Sequence, residues 1–600
     1  MQEQALRVLI ERVRDGRLPR RRLIQHLVAL GLTAPMANLM LIHEGIAQTP
    51  APIPYKPTKR GGGGTLKLLW WQGPVHLNPH HAGGAKEQDT ARIFYEPLAG
   101  WDREGNMIPM LAAELPTREN GGIAPDGRSV TWKLKRGVTW HDGQPFSADD
   151  VVFTARYAGD PATSAVSISN FKDLRVEKID SYTVRVSRAE PWARLPTVWV
   201  GTWGWVLPKH IFETFIGARS RESPANVKPV GTGPYKLVDF KPGDMLRAEA
   251  NPNYHVPNQP FFDALELKGG GDALSAARAV LQTAEYDYAW NLAVEDEILK
   301  RLEASGKGKV AIVEGGDIEF ISLNVADPWT EVDGERAHMK TRHPAFSDKA
   351  VRTAMALLVD RKGIVDFIYG RGGVVTANFV NNPPRVRSPN TKFEFNIDKA
   401  NQVLDAAGWK KGADGIRTKG NSNGGTKLKF VFQTSVSQPR QKAQAIVKDA
   451  CTKAGIELEL KAVTAAVFFG SDAANPDTFQ KFWADMQMHT TLMGSPDPQN
   501  FLLQFRSDQI AQKSNMWSSI NRIRWSHAEY DATHKALEEE FDPVKRAALS
   551  IKLNDLVVND GYVIPLFGRA RLTGFVNKLN PVLSAWDSDL WLLGYWTREA

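Results

Sequence analysis

The sequence predicts an α/β protein of two or three domains, and three observations carry that prediction. At 600 residues the chain exceeds what one hydrophobic core holds. Its second half alternates: Leu428–Gln433 reads as a strand, the amphipathic run around Gln441–Cys451 as a helix ending at Gly455, and Glu457–Lys461 as a strand. That βαβ order implies a largely parallel core. Between residues 96 and about 198, alternating runs such as Ser129–Leu134 and Tyr182–Val186 read instead as a small, separate sheet-rich unit.

Taken in order, residues 1–48 read as targeting sequence. Arg20-Arg21, a variable residue, Leu23-Ile24 and the apolar run Leu27–Ile42 resemble a twin-arginine export signal, with Gly45-Ile46-Ala47 before Gln48 as the expected cleavage site. The run is shorter than the roughly 20 residues a membrane span needs, and an amphipathic cytosolic helix is the alternative. Residues 49–64 carry Pro50, Pro52, Pro54, Pro57 and four glycines and read as a linker. Thr65–Trp71 is a strand, followed by a loop with His76, Asn78, His80 and His81. In Arg136–Phe153, Val138 and Trp140 share one strand face and Asp142-Gly143 turns the chain. Ser147 caps a helix with Asp149 and Asp150 in its first turn. Gly231-Thr232-Gly233-Pro234 forces a turn before the strand Tyr235–Phe240. Ser347 is the expected cap of a helix with an apolar stripe at Ala350, Val351, Ala354, Leu357 and Leu358. Gly408 ends a helix that begins near Asn396, and Val563–Phe567 opens a last strand segment.

Composition narrows the function. Apolar residues make up 42% and charged residues 24%, ordinary for a soluble protein. The net charge of +8 comes from 75 basic and 67 acidic residues interspersed, without the dense basic block of a nucleic-acid arm, so no nucleic-acid partner is expected. The single cysteine, Cys451, excludes an intrachain disulfide or a four-cysteine zinc site and reads as a small buried residue. No His-Glu-x-x-His, Gly-x-Ser-x-Gly or Walker loop is present, and no cofactor is implied. His76, His80 and His81 are close enough in sequence to suggest a metal site, or else a polar loop at a cleft mouth. His141 beside Asp142 suggests an acid/base pair, but no nucleophile is adjacent, which favours an imidazole closing a turn.

Four stretches in order, Arg136–Phe153, Gly231–Leu237 with Asn251-Pro252-Asn253-Tyr254, His343–Arg361, and Asn396–Trp409, resemble the extracellular solute-binding proteins of peptide and nickel ABC importers. The resemblance runs from about Thr65 to the C-terminus. It implies a two-lobed periplasmic-binding-protein fold of the large, peptide-binding type II subclass, with an extra small sheet-rich subdomain. The lobes then follow: 65–95, 199–317 and 563–600 form lobe I, 96–198 the extra subdomain, and 318–562 lobe II. It further implies a periplasmic monomer, exported by the twin-arginine or general secretory route. Such a protein captures a small-molecule ligand between its lobes and delivers it to ABC importer permease subunits. A periplasmic hydrolase or metal-dependent enzyme, and a chaperone-like binding module, are the alternatives from other classes.

Peptide-binding relatives neutralise the ligand's amino terminus with an aspartate just upstream of an Asp-Pro and a Phe-Leu. Aligned on Asp497-Pro498 and Phe501-Leu502, that position is Gly494, and the tryptophan that usually precedes it is Thr491. The amine-binding carboxylate is therefore missing. Asp497 is the expected substitute, with Ser495 and His489 nearby. The resemblance places Trp71, His76, Asn78, Trp290, Trp483, His489, Thr491, Gly494, Asp497 and Trp525 at the ligand. It leaves a neutral pocket suited to a peptide-like, opine-like or oligosaccharide solute gripped by aromatics and backbone groups.

Overall fold

The structure is a computed structural model that describes residues 8–9, 11–13, 17–29, 53–420, 425–470, 472 and 474–599. Arg20–Ala29 is a helix. Most of the apolar run Leu27–Ile42 and the expected cleavage site lie outside the described residues. No helix of the described residues is long and apolar enough to cross a membrane. The stretch read as a linker is docked from Tyr55 onward. Tyr55 donates to the Asn258 carbonyl at 2.8 Å, Arg60 to the Tyr254 carbonyl at 2.7 Å, and the Gly62 and Gly64 amides to Asp263 at 2.8 Å each.

Two mixed sheets carry the fold. The first has seven strands in the order 308–313, 571–576, 288–289, 65–70, 264–269, 245–250, 235–241. The second has six, ordered 373–375, 563–569, 318–323, 486–491, 429–435, 457–463. The largely parallel core expected from the βαβ order is confined to the pairings of 429–435 with its two neighbours; the other three pairings of that sheet are antiparallel. Strand 429–435 and strand 457–463 are joined by the helix Gln438–Lys453, which requires parallel pairing. The remaining neighbours arrive from distant segments, and no short crossover dictates their direction. Val563–Arg569, expected in lobe I, pairs with 318–323 and 373–375 in the second sheet; the chain returns to the first sheet only at Arg571. Inserted in sequence between strands 65–70 and 235–241 of the first sheet, 129–133, 183–187 and 175–180 form a three-stranded antiparallel sheet against the helix Ala148–Gly159.

The signature stretch shows why its residues are where they are. Val138 and Trp140 are both buried, but as part of a tight loop rather than a strand end: the Gly143 amide donates to Trp140 O at 2.9 Å and the Phe146 amide to Val138 O at 3.0 Å. Ser147 caps the following helix, accepting from the Asp149 amide, and Asp150 accepts from the Ser147 amide at 2.9 Å to complete a capping box. His141 closes the loop against the second motif. Its amide donates to Gly231 O at 2.8 Å, its Nδ1 accepts from the Gly231 amide at 3.1 Å, and its Nε2 lies 3.0 Å from Gly233 O. Burial pushes this imidazole down to about 4, so it stays neutral and structural. In the third motif the helix Lys349–Leu357 is capped by Asp348, whose side chain accepts from the Ala350 amide at 2.9 Å, one residue later than the Ser347 read from sequence.

Gly231 is required sterically: an added Cβ would stand 1.8 Å from Phe94 O. Gly231→Ala is expected to destabilise the protein by about 1–3 kcal/mol through overpacking against backbone that cannot move aside. Urea unfolding of the variant beside the parent checks it.

Candidate ligand-binding cleft

The cleft lies where several strands of both sheets end at their carboxyl edges, the edge at which open α/β sheets bind ligands. Trp71 follows strand 65–70 and Trp290 follows 288–289. Strand 486–491 delivers His489 and Thr491, and the loop after it delivers Gly494. The turn at Thr202 and Trp203 closes one wall, with Trp203 in a left-handed backbone conformation (φ +82°) that bulky residues rarely adopt. The cavity between them is about 240 Å³. Trp290 stacks on Trp70 at 5.8 Å and donates its Nε1–H to Asp89 at 2.8 Å, while Trp71 donates to Asn291 O at 2.7 Å. Both indoles are thereby fixed with a face or edge toward the cavity.

Of the ten residues placed at the ligand from sequence, Trp71, Trp290, His489, Thr491, Gly494 and Asp497 line the cavity, and four do not. Asn78 is fully buried and holds Asn226 at 2.8 Å and Tyr157 at 3.2 Å. His76 sits beside it outside the cavity. Trp483 packs edge-on against Trp517 at 6.1 Å, under Lys481 and Arg336. Trp525 donates to Asp560 at 2.7 Å and stacks on His527. Proximity in sequence to cleft segments did not specify which way these four side chains face.

Asp497 is not a free anchor. It is buried, 5% exposed, and its carboxylate meets the Arg546 guanidinium at 2.6 Å while capping the Gln499 amide at 3.0 Å. The histidine loop does not assemble a metal site either: His80 pairs with Ser167 at 2.7 Å and the Trp205 carbonyl at 3.2 Å, and His81 with Tyr157 at 3.1 Å. No group of three potential metal ligands occurs among the described residues. Burial pushes His76 and His80 down to about 4.

Nor is the pocket neutral. Lys86, Arg194, Arg440, Arg522, Arg569 and Arg571 line it together with Asp89, Asp317, Asp497, Asp587 and Asp589. Most are paired. Arg571 meets Asp317 at 3.0 Å, and Arg440 grips Glu319 in a two-pronged contact of 2.6 and 3.1 Å. Asp589 accepts from Tyr288 at 3.0 Å; burial, then the neighbouring Asp89 carboxylate, push it up to about 7. Apart from Asp497, these residues were missed because none belongs to the quoted motifs. The signal that would have found them is charge at a spacing of two, Asp317/Glu319 and Arg569/Arg571, interrupting otherwise apolar strands.

Comparison with known proteins settles the family. The profile of the bacterial extracellular solute-binding proteins, family 5 middle region, matches residues 106–513. The chain belongs to this family. The oligopeptide-binding protein AppA of Bacillus subtilis is 28% identical over 471 residues, covering 77% of this chain and 78% of that protein. The glutathione-binding protein GsiB of Escherichia coli K12 is 23% identical, covering 75% and 85%. The AppA structure with a nonapeptide superposes with a TM-score of 0.76 at 24% identity over 91% of this chain and 100% of AppA. NikZ of Campylobacter jejuni with Ni(L-His) gives 0.72 at 21%, over 89% and 99%. As a family 5 protein the chain has the two-lobed fold and is the substrate-binding component of an ABC importer, with a small ligand and permease subunits as partners. That membership favours capture over the hydrolase, metal-enzyme and chaperone alternatives.

Removing one partner of the buried Asp497–Arg546 pair strands the other charge. Asp497→Ala is expected to cost about 3–5 kcal/mol of stability. In thermal melts the loss appears with and without ligand alike, as befits a structural carboxylate. A larger loss of ligand affinity than of stability would restore Asp497 as an anchor.

Proposed function

We propose that this family 5 protein captures an amino-acid-derived solute, peptide-like or opine-like, whose amino end is not fixed by a dedicated carboxylate. The observation that carries the reading is Gly494. It lines the cavity at the position where peptide-binding relatives have their aspartate, and an added Cβ there would stand 3.5 Å from Thr202, an ordinary contact. A Cβ is tolerated at this position, and the carboxylate is absent from it. The candidate substitute is committed to Arg546. The charged wall disfavours an oligosaccharide, which offers no charge to meet it. That one relative is named for oligopeptides and another for glutathione agrees with an amino-acid-derived ligand. The protein works as a monomer, and it reaches the far side of the membrane through Arg20-Arg21 and the twin-arginine route.

A thermal-shift screen of free and N-acetylated di- to pentapeptides tests the cleft. A ligand at a hundred times its Kd adds about 2.7 kcal/mol. N-acetylated or opine-like compounds are expected to stabilise the parent at least as well as free peptides. Gly494→Asp is expected to reverse that preference. Preference of the parent for free amino termini, unaltered by Gly494→Asp, would overturn the reading.

The export route has its own test. Replacing Arg20 and Arg21 by lysine is expected to leave uncleaved precursor in the cytoplasm, read by fractionation and immunoblot. Normal maturation would exclude the twin-arginine route while leaving the general secretory one open.

A further inference from the structure

Among the described residues the chain passes between the two sheets at 314–317 and again at Ala570. Elsewhere the two sides meet through noncovalent contacts, and one of these ends on a helix terminus. The helix Ala528–Glu539 belongs to the second-sheet side: it packs on the helix Pro543–Asp560, which packs on strand 563–569. The segment 188–194 follows strand 183–187 of the small sheet, which is tied to the first-sheet side. The His141–Gly231 clamp, the Trp101 amide on Asp587 at 2.9 Å and the Ser584 hydroxyl on Asp102 O at 2.9 Å make that tie.

The two segments join at Glu538. The last four carbonyls of a helix lack partners inside it, and Glu538 O accepts instead from the Ala193 amide at 2.9 Å. The Glu538 carboxylate, 12% exposed, lies 3.4 Å from Arg188 and is steadied from its own side by Arg506 at 2.9 Å and His534 at 3.3 Å. Arg188 lies over the Trp192 ring at 4.9 Å, and its other carboxylate neighbour, Asp173, is 3.9 Å away. Past the helix, Phe541 covers Gly127, where an added Cβ would stand 2.3 Å from the ring. At the cavity wall Arg194 donates to Asn500 Oδ1 at 3.2 Å, and both residues line the cleft. The junction is thus mostly polar, the character of contacts between parts of a chain that move relative to each other.

We propose that Glu538, together with Arg188 and the Ala193 amide, forms a clasp that holds the cleft shut for part of the time without any ligand. A rotation about the crossings at 314–317 and 570 separates segment 188–194 from helix 528–539, because no chain joins them there. On separation the carboxylate, the guanidinium and the amide regain water. The clasp therefore carries the net strength of a few hydrogen bonds, one of them charged, which biases the balance without locking it. A solute then meets an arrangement that is already populated, and its apparent affinity rises with that population. The proposal goes beyond the functional reading above and holds whichever solute is captured.

The test needs no ligand. Ile179→Cys and Ala532→Cys place spin labels at exposed positions of the small sheet and the helix. Cys451 is buried, and burial pushes its thiol far up, so it stays unlabelled. Pulsed electron–electron double resonance on the full protein reads the separation. The ligand-free parent is expected to populate a short separation. Arg188→Gln and Glu538→Gln are each expected to lower the ratio of short to long separations about tenfold, the effect of losing a charged hydrogen bond. The double variant is expected to lower it no further than Glu538→Gln alone, since the two share one interaction. A merely structural Glu538 would lower the melting temperature and leave the Arg188→Gln distribution like that of the parent. That outcome, or a ligand-free parent with long separations alone, overturns the clasp. The Arg188→Gln comparison decides by itself if Glu538→Gln does not fold.

Discussion

Two buried carboxylates at the crossing between the sheets organise this molecule. Asp317 and Glu319 stand two residues apart at the start of strand 318–323, and Arg569 and Arg571 stand two apart where the chain passes back to the first sheet. Spacing of two puts each pair on one side of its segment, so the pairs face each other. Asp317 meets Arg571 at 3.0 Å and also accepts from the Met493 amide at 2.9 Å, which fixes the loop leading to Gly494. Glu319 accepts from Arg440 and lies 3.6 Å from Arg569. Burial alone pushes the Glu319 carboxyl up; Arg440 first and Arg569 after it more than reverse this, leaving it below its usual range. Such charges add little stability over an apolar core of equal fit. They fix direction and register at the point where two chain crossings and a cleft wall coincide.

The small sheet-rich unit depends on a different device. His141 accepts from one side of the Gly231–Gly233 turn and donates to the other, clamping the signature loop to a segment 90 residues later. Gly231 and Gly233 exist because Phe94 and Ile93 backbone oxygens already occupy the space a side chain would need. The motif is thus a packing solution, and this explains how it identifies a fold without touching a ligand.

This distinction also sets what was legible in the sequence. The strands 65–70, 129–133 and 457–463, the Ser147 cap and the Gly231 turn were readable because local chemistry dictates them. Strand pairing across the second sheet was not, because Val563–Arg569 and 318–323 meet through distant segments with no local signal of direction. At the cleft, Trp71, Trp290, His489, Thr491 and Gly494, expected there from their position in family-like segments, line the cavity. Asn78, His76, Trp483 and Trp525 were misplaced, because a segment that borders a cleft turns some side chains away from it. Asp497 had the right chemistry, but its partner Arg546, 49 residues on, could not be read from pattern. Arg522 gave no signal at all, since an isolated arginine in a loop is usually a solvated one.

The charge distribution across the cleft bears on how capture couples to shape. A ligand shifts an open–closed equilibrium only by its differential affinity for the two arrangements. On the first-sheet side, the carboxylates Asp89, Asp587 and Asp589 are engaged by Trp290, Trp101 and Tyr288. On the second-sheet side, Arg440 is held by Glu319 and Arg522 by Gln480. These groups of each wall are thus fixed within their own side of the cleft, and a solute gains differential affinity for a closed arrangement only through contacts it makes with both walls at once.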